Sequence, residues 1–186
     1  MTDHLHEMSV KIELLRRRGA VDELERRWEE DDDFSGNYND SRLSLPLGVE
    51  LAEHLPAGLR ALYALADHPQ FGDLEFNAHQ FFGPQRLIDS TGEVIDAGHT
   101  LTIGQAQEQS IVLDLDTETV FIFDFLYFRH GLDSGFVLRC DSVAEFISTV
   151  ALGPRYSDIH GPHETWGEAW WLADPGYLYL QELAFA

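Results

Sequence analysis

The chain has 186 residues, of which 44% are hydrophobic and 12% aromatic. That apolar fraction is enough for the core of one folded domain and excludes an intrinsically disordered protein. Thirty-three acidic residues against twelve basic ones give a net charge of −21, which excludes nucleic acid and anionic membranes as partners and favours either a basic protein partner or solubility alone.

Residues 5–30 carry apolar side chains near a 3.6-residue period, which predicts helix. These side chains are Val10, Leu14, Leu15, Val21, Leu24 and Trp28. Gly19 either divides the segment into two helices or weakens one. An acidic run at residues 29–33 and a Gly/Asn/Asp/Ser cluster follow. We therefore expect residues 1–40 to be a helical N-terminal extension with an acidic linker, and residues 41–186 to form the domain.

Two prolines suggest helix starts at the beginning of the domain. Pro46 is expected to open a short helix through Glu53, and Pro56 the first turn of a second that reaches Asp67. The second carries an apolar face that includes Leu59 and Leu62. Short strands are possible around residues 74–76 and 79–82, and residues 84–88 are expected to form a helical turn.

Three later segments are rich in Ile, Val, Phe and Thr, as strands are. They are residues 100–103, 110–114 and 119–128. A tight turn at residues 116–118 predicts that the last two pair as a hairpin. Residues 120–125 are apolar on both faces except for Asp124, so this strand is expected to be central and covered on both sides. A further strand is predicted at residues 136–138.

The strongest local pattern is a helix at residues 142–152. Ser142 and Glu145 have the spacing of a capping box, and Gly153-Pro154 ends the helix. Beyond it we expect a loop at residues 155–163 and a helix at residues 164–173. The aromatic residues of this region are either core or a partner-binding anchor; they are Trp166, Trp170, Trp171, Tyr177 and Tyr179.

Sequence motifs of catalysis and of targeting are missing. The chain contains no GxGxxG, GxxxxGK[ST], GxSxG or HExxH pattern, so we expect no enzyme and no cofactor. Cys140 stands alone, which fits a reducing compartment, and a structural thiol is the favoured interpretation. The absence of a secretory signal and of an apolar run near 20 residues predicts a cytoplasmic protein.

One loop contains potential metal ligands. His160, His163 and Glu164 lie within five residues, and imidazole with carboxylate suits zinc. Glycine and proline between the histidines prevent the helical i, i+4 geometry, so a surface loop is favoured over a metal site.

Carboxylates mark the predicted hairpin. Asp114, Asp116 and Glu118 alternate, which would place them on one face as a partner-binding patch or a cation site. Ordinary turn chemistry is the competing interpretation. Asp124 is a tuned catalytic group, a cap of a bulge, or a structural partner of Arg129 or Arg139, and the structural pair is favoured.

The order of three motifs resembles the SUKH superfamily of Smi/Knr-like immunity proteins. Residues 55–63 read LPAGLRALY, residues 111–124 contain IVLDLD and VFIFD, and residues 142–147 read SVAEFI. These are similar to the family's LP-x-x-L-R-x-L-Y helix, its sheet and its S-x-x-E-F-I/L helix. The turn after the first motif departs from the family, because its glycine is moved to Gly72.

The resemblance implies an α+β fold with a mostly antiparallel sheet flanked by helices. It also implies a non-catalytic immunity protein that binds and neutralises a cognate secreted toxin, often a nuclease. A basic toxin domain is then the expected partner. There are two alternatives. One is a regulatory or scaffolding module of the same fold in a cytoplasmic assembly, with residues 1–40 as one candidate contact segment. The other is a metal-dependent hydrolase built on His160, His163 and Glu164.

Overall fold

The fold, given by a computed structural model, is the predicted α+β arrangement of an antiparallel sheet flanked by helices. The structure describes residues 3–30, 42–84, 87–88, 94–96, 99–107, 109–127, 135–160, 172 and 175–185. Within these ranges the helices are α1 (His4–Arg17), α2 (Ala20–Glu30), α3 (Ala57–Leu65), α4 (Val143–Glu145) and α5 (Pro175–Glu182). Two 3-10 helices span His79–Phe81 and Tyr156–His160, and a π-helix over Phe146–Ala151 continues α4.

Every strand pair among the described residues is antiparallel. The strands are β1 (Arg42–Ser44), β2 (Gln70–Gly72), β3 (Leu74–Phe76), β4 (Gly83–Pro84), β5 (Leu87–Ile88), β6 (Val94–Asp96), β7 (Thr100–Ala106), β8 (Gln109–Asp114), β9 (Val120–Phe123) and β10 (Phe136–Cys140). The main sheet has eight strands: seven follow the order β1-β2-β3-β7-β8-β9-β10, and β4 pairs with β7. Strands β5 and β6 form a separate pair.

The predicted hairpin and central strand are confirmed. Strand β9 pairs with β8 on one side and β10 on the other. Val120 and Ile122 face the main core, whereas Phe121 and Phe123 pack with Val112 in a second cluster on the opposite face. The strand ends at Phe123, earlier than the predicted residue 128, because the chain turns at the next residue.

The helix predicted from Pro46 to Glu53 is wrong. Residues 45–52 run without helical structure beside α3. The Val49 N–H donates to the Tyr63 carbonyl at 2.8 Å, and a Cβ at Gly48 would collide with the carbonyl oxygen of Ala64. The segment therefore satisfies its backbone against α3 instead of within a helix of its own. Residues 79–81 form a 3-10 turn instead of a strand, and strands replace the helical turn expected at 84–88.

The N-terminal helices lie in the domain's core. Met8, Ile12 and Leu15 of α1 are fully buried, and Leu24 of α2 joins the same cluster. Gly19 adopts φ +61° between the helices, the left-handed conformation that ends a helix and favours glycine. The helical segment predicted at residues 5–30 is therefore present as the two helices α1 and α2, and the structure packs both against the core of the domain.

The predicted helix at residues 142–152 is present with an altered winding. The Glu145 N–H donates to Ser142 Oγ at 3.1 Å, and the Glu145 carboxylate accepts from the Asp141 N–H at 2.7 Å. From residue 146 onward the helix widens, and the Leu152 N–H reaches the Ile147 carbonyl at 2.8 Å. The capping box thus holds the start of the helix, but it does not determine its pitch.

Lys11 joins the N-terminal helix to this widened helix. Its ammonium group donates to the carbonyls of Ser148 and Leu152, each at 2.8 Å. Glu7 lies 3.0 Å away on the preceding turn, and the ring of Phe185 lies 5.1 Å below the ammonium group. Because carbonyls at the end of a helix lack partners within the helix, Lys11 supplies the donors that this end requires.

Replacing Lys11 by Met keeps most of the apolar stem and removes the donors. We expect Lys11→Met to lower the free energy of unfolding by about 2–4 kcal/mol, because hydrogen bonds to a charged group contribute roughly 1.5–3 kcal/mol and two carbonyls lose their partner. Urea unfolding followed by circular dichroism measures the change. Arg17→Met removes the same charge from an exposed position of α1 and should cost less than about 0.5 kcal/mol. Equal losses in the two variants would contradict this role.

Candidate partner-binding surface

The β8–β9 turn uses Asp114 for its own geometry. The Asp114 carboxylate accepts hydrogen bonds from the N–H groups of Asp116 and Thr117, at 2.9 and 3.0 Å. Residues 115–117 form a turn and Glu118 has φ +60°, so strict alternation does not continue past the strand. The three predicted carboxylates therefore have different roles. Asp114 stabilises the turn, and Asp116 and Glu118 are exposed at its tip.

A third exposed carboxylate, Asp141, belongs to the same end of the sheet. It directly follows β10, whose last residue, Cys140, is paired with Val120 of β9. This antiparallel register places Asp141 level with Thr119, the residue that follows Glu118. We call Asp116, Glu118 and Asp141 the acidic rim. Sequence analysis missed Asp141, although an acid immediately after a predicted strand was a usable signal.

His99 also lies at this end of the sheet. Its Nδ1 is 3.2 Å from the Asp116 carboxylate, and its carbonyl accepts from the Leu115 N–H at 2.8 Å. The side chains of His99 and Asp116 are largely exposed, so their attraction is screened by water and contributes little to stability. The rim is therefore left with its negative charge displayed to solvent.

Many of the basic side chains are used inside the fold. Their partners are carbonyls or carboxylates of this chain: Arg16 with Pro46 and Leu65, Arg26 with Glu23 and Glu30, Arg27 with Glu23 and Glu182, Arg60 with Leu55, and Arg155 with Asp158. Hydrogen bonds from Arg26 and Arg27 lower the pKa of Glu23 to about 2. Arg26 and Arg27 thus neutralise acids on α2 and α5, and none of the five arginines has its partner in the rim.

Asp124 has a structural role of the kind favoured from the sequence. It is 4% exposed, and its carboxylate accepts from the Leu126 N–H at 2.7 Å. Its own N–H donates to the Gly135 carbonyl at 2.8 Å. Asp124 therefore closes the turn that ends β9. Arg129, one of its two predicted partners, lies outside the described residues.

Cys140 is a buried free thiol. Its side chain is 2% exposed, and burial raises the pKa of the thiol to about 11. An Arg155 Nη1 donates to the sulfur at 3.6 Å. Since the thiolate is the nucleophilic form of cysteine, this geometry supports the structural role predicted for Cys140.

Five residues that the sequence suggested for metal or partner binding lie outside the described residues: His163, Glu164, Trp166, Trp170 and Trp171. His160 ends the 3-10 helix that follows the π-helix. Among the described residues, no group of three His, Cys, Asp or Glu side chains is placed to hold a metal ion.

Tyr179 is 6% exposed and packs under the Arg27 guanidinium at 4.9 Å, so it belongs to the core. Tyr177 is half-buried, its ring 5.9 Å from that of Tyr156.

A serine–histidine contact that sequence analysis missed joins α1 to the π-helix. His4 Nδ1 lies 3.0 Å from Ser148 Oγ and 3.7 Å from the Glu7 carboxylate. A catalytic triad requires the acid to hold the opposite ring nitrogen from the serine, whereas the same nitrogen faces both groups here. Ser148 is also fully buried. The contact therefore packs two helices, and no signal in the sequence links residues 144 positions apart.

Comparison with known proteins gave no match: no family model, curated protein or solved structure is significantly similar to this chain. None of the helices in the described ranges combines the length and apolar character needed to cross a membrane.

The two aspartates of the hairpin turn should respond differently to truncation. We expect Asp114→Ala to lower the free energy of unfolding by about 1–2 kcal/mol, since two turn N–H groups lose their acceptor. Asp114→Asn should recover part of this loss because its amide oxygen is still an acceptor. Asp116→Ala should cost less than about 0.5 kcal/mol. Chemical denaturation of the three variants tests this, and a larger loss for Asp116→Ala than for Asp114→Ala would refute the assignment.

Burial of Cys140 predicts a specific pH dependence. The pKa of its thiol is about 11 in the folded protein against 9.0 for the free side chain. The folded state therefore holds the proton more tightly, and this contribution to stability is present below pH 9 and is lost as pH rises toward 11. Unfolding of the wild type and Cys140→Ala between pH 8 and 11 measures it. We expect the stability advantage of the wild type to shrink by about 1.4 kcal/mol per unit of pKa shift; a constant difference would disprove it.

Proposed function

We propose that this chain is a non-catalytic immunity protein that binds a basic bacterial toxin domain and blocks it in the cytoplasm of the producing cell. The observation that carries the proposal is the exposed acidic rim on a protein of net charge −21, in which five described arginines are engaged in contacts within the chain. The motif order that resembles the SUKH superfamily agrees with it. Those motifs lie on α3, on the β8–β9 hairpin and at the start of α4.

The geometry of the rim suits inhibition by contact. Asp116 and Glu118 stand on a turn that Asp114 closes, and the turn joins two central strands of the sheet. The backbone of the turn is therefore ordered before binding, and a partner has only the side chains to order. A nuclease cleft is basic because it holds phosphate, so carboxylates at a fixed position can occupy it in place of the substrate. The acidic field also accelerates encounter with such a cleft.

The alternative is a regulatory or scaffolding module of the same fold, for which residues 1–40 were one suggested contact segment. Met8, Ile12 and Leu15 of α1 face the core of the domain, so this face of α1 is not open to a partner. Binding through the sheet end is the function that the described residues support best.

Charge-reversal variants distinguish binding through the rim from attraction by the net negative charge of the protein. We expect Asp116→Lys/Glu118→Lys to weaken binding of the toxin-like domain encoded nearest this gene by about tenfold or more and to reduce the salt dependence of binding. Asp22→Lys/Glu25→Lys on α2 changes the net charge equally at exposed positions and should change binding by less than about threefold.

Co-expression followed by growth assay and pull-down, with titration at two salt concentrations, makes the comparison. The proposal fails if the chain neither protects cells nor forms a complex. It also fails if the two double variants lose affinity equally, because that result assigns binding to net charge alone.

A further inference from the structure

An open groove of about 620 Å³ runs along α3, between its outer face and the preceding segment, residues 48–53. Ala57, Ala61 and Ala64 line one side of it. Their spacing of four and three residues places them on one face of the helix. Ala57 and Ala64 are exposed and Ala61 is half-buried, so this face of α3 is smooth and open to solvent.

The groove is preformed, because the segment beside α3 is held by its backbone. The Val49 N–H donates to the Tyr63 carbonyl at 2.8 Å, and Gly48 lies against the carbonyl of Ala64. On the opposite face of the helix, Leu59 and Leu62 are fully buried in the core. A ligand would therefore meet a surface that needs no rearrangement.

A large apolar side chain stands at one end of the groove. Leu47 directly precedes Gly48 and is 90% exposed, and its carbonyl accepts from the Asp67 N–H at 3.4 Å just beyond α3. A single exposed leucine is common on protein surfaces. Because Leu47 directly precedes Gly48, which lines the groove, it adds an exposed apolar side chain at the start of the lining segment.

The other side of the groove is acidic. Glu50 and Glu53 line it and are exposed, and no described basic side chain forms an ion pair with either. Arg60, which also lines the groove, donates its Nε to the Leu55 carbonyl at 3.1 Å. The groove thus combines an apolar side with two free carboxylates, on a chain whose net charge is −21.

We propose that this groove is the docking site for a basic amphipathic helix of the partner protein. Apolar side chains of that helix pack on the three alanines and Leu47, and its lysines or arginines face Glu50 and Glu53. A helix fits better than an extended strand because alanines allow two helices to approach to about 8 Å. In addition, the Val49 N–H, which a strand would need, is already bonded within the protein.

This inference rests on the proposed function, since it names the part of a basic partner that the protein holds. It can nevertheless be tested without the partner. The probe is a synthetic peptide of about 18 residues, or five helical turns, with leucines at i, i+3, i+4 and i+7 and lysines elsewhere. A peptide of the same composition with scrambled order has the same charge but no apolar face. Titration of the full chain by fluorescence anisotropy compares the two.

We expect the amphipathic peptide to bind at least about tenfold more tightly than the scrambled one. Ala61→Gln, which obstructs the apolar side, should remove most of that difference. Val10→Gln makes a similar neutral change at a position of α1 that is 42% exposed and should leave binding unchanged. Equal binding of the two peptides, or full binding to Ala61→Gln, would overturn the proposal.

A second variant covers the case in which Ala61→Gln disturbs folding. Glu50→Gln/Glu53→Gln alters only exposed carboxylates and should weaken binding by about three- to tenfold, with a smaller dependence on salt. Glu25→Gln/Glu29→Gln, with the same charge change on the exposed face of α2, should have less than half of that effect. Equal effects of the two double variants would overturn the acidic half of the proposal.

Failure of this inference is distinguishable from failure of the proposed function. If the toxin-like domain binds and the rim variants weaken it while the groove variants do not, the function stands and the groove proposal falls. If the amphipathic peptide binds the groove but the toxin-like domain neither binds nor is neutralised, the groove proposal stands and the immunity function falls.

Discussion

The hydrogen bonds of Lys11 are the interaction on which the arrangement of the helices depends. Lys11 is the only lysine of the chain. Its ammonium group donates to two carbonyls at the end of the widened helix that follows α4, 137 and 141 residues away in sequence. Burial of Met8, Ile12 and Leu15 brings α1 next to that helix end, where unpaired carbonyls would be costly. Lys11 therefore supports the packing of the N-terminal helices by satisfying these carbonyls.

Several arginines, like Lys11, bind groups of the same chain. Arginines point to partners within the chain, such as the pairing of Arg27 with Glu23 and Glu182 that ties α2 to α5. Exposed pairs of this kind contribute little to stability individually. Their effect on the surface is larger, since cations engaged in the fold leave acids elsewhere without a counter-charge. The carboxylates that no arginine neutralises are the groups that the proposed basic partner would meet.

The acidic rim and the α3 groove offer a partner different chemistry. The rim is a set of exposed carboxylates on a braced turn, suited to long-range attraction and to a basic cleft. The groove has an apolar side with Leu47 at its end and can contribute the buried contacts that slow dissociation. Both are held by backbone hydrogen bonds or turn geometry, so neither requires folding on binding.

The features that the sequence by itself determined are those that depend on residues close together in the chain. The capping of Ser142 and Glu145, the β8–β9 hairpin and the α+β class follow from interactions within a few residues or from a regular apolar period, and these appeared as predicted. The rim was foreseen in part: Asp116 and Glu118 lie in the hairpin turn, but Asp141 joins them only through strand register. The course of residues 45–52, the π-winding and the Lys11 contact were decided by the tertiary structure. Each depends on groups that are distant in the chain and whose approach is set by packing, which no local pattern records.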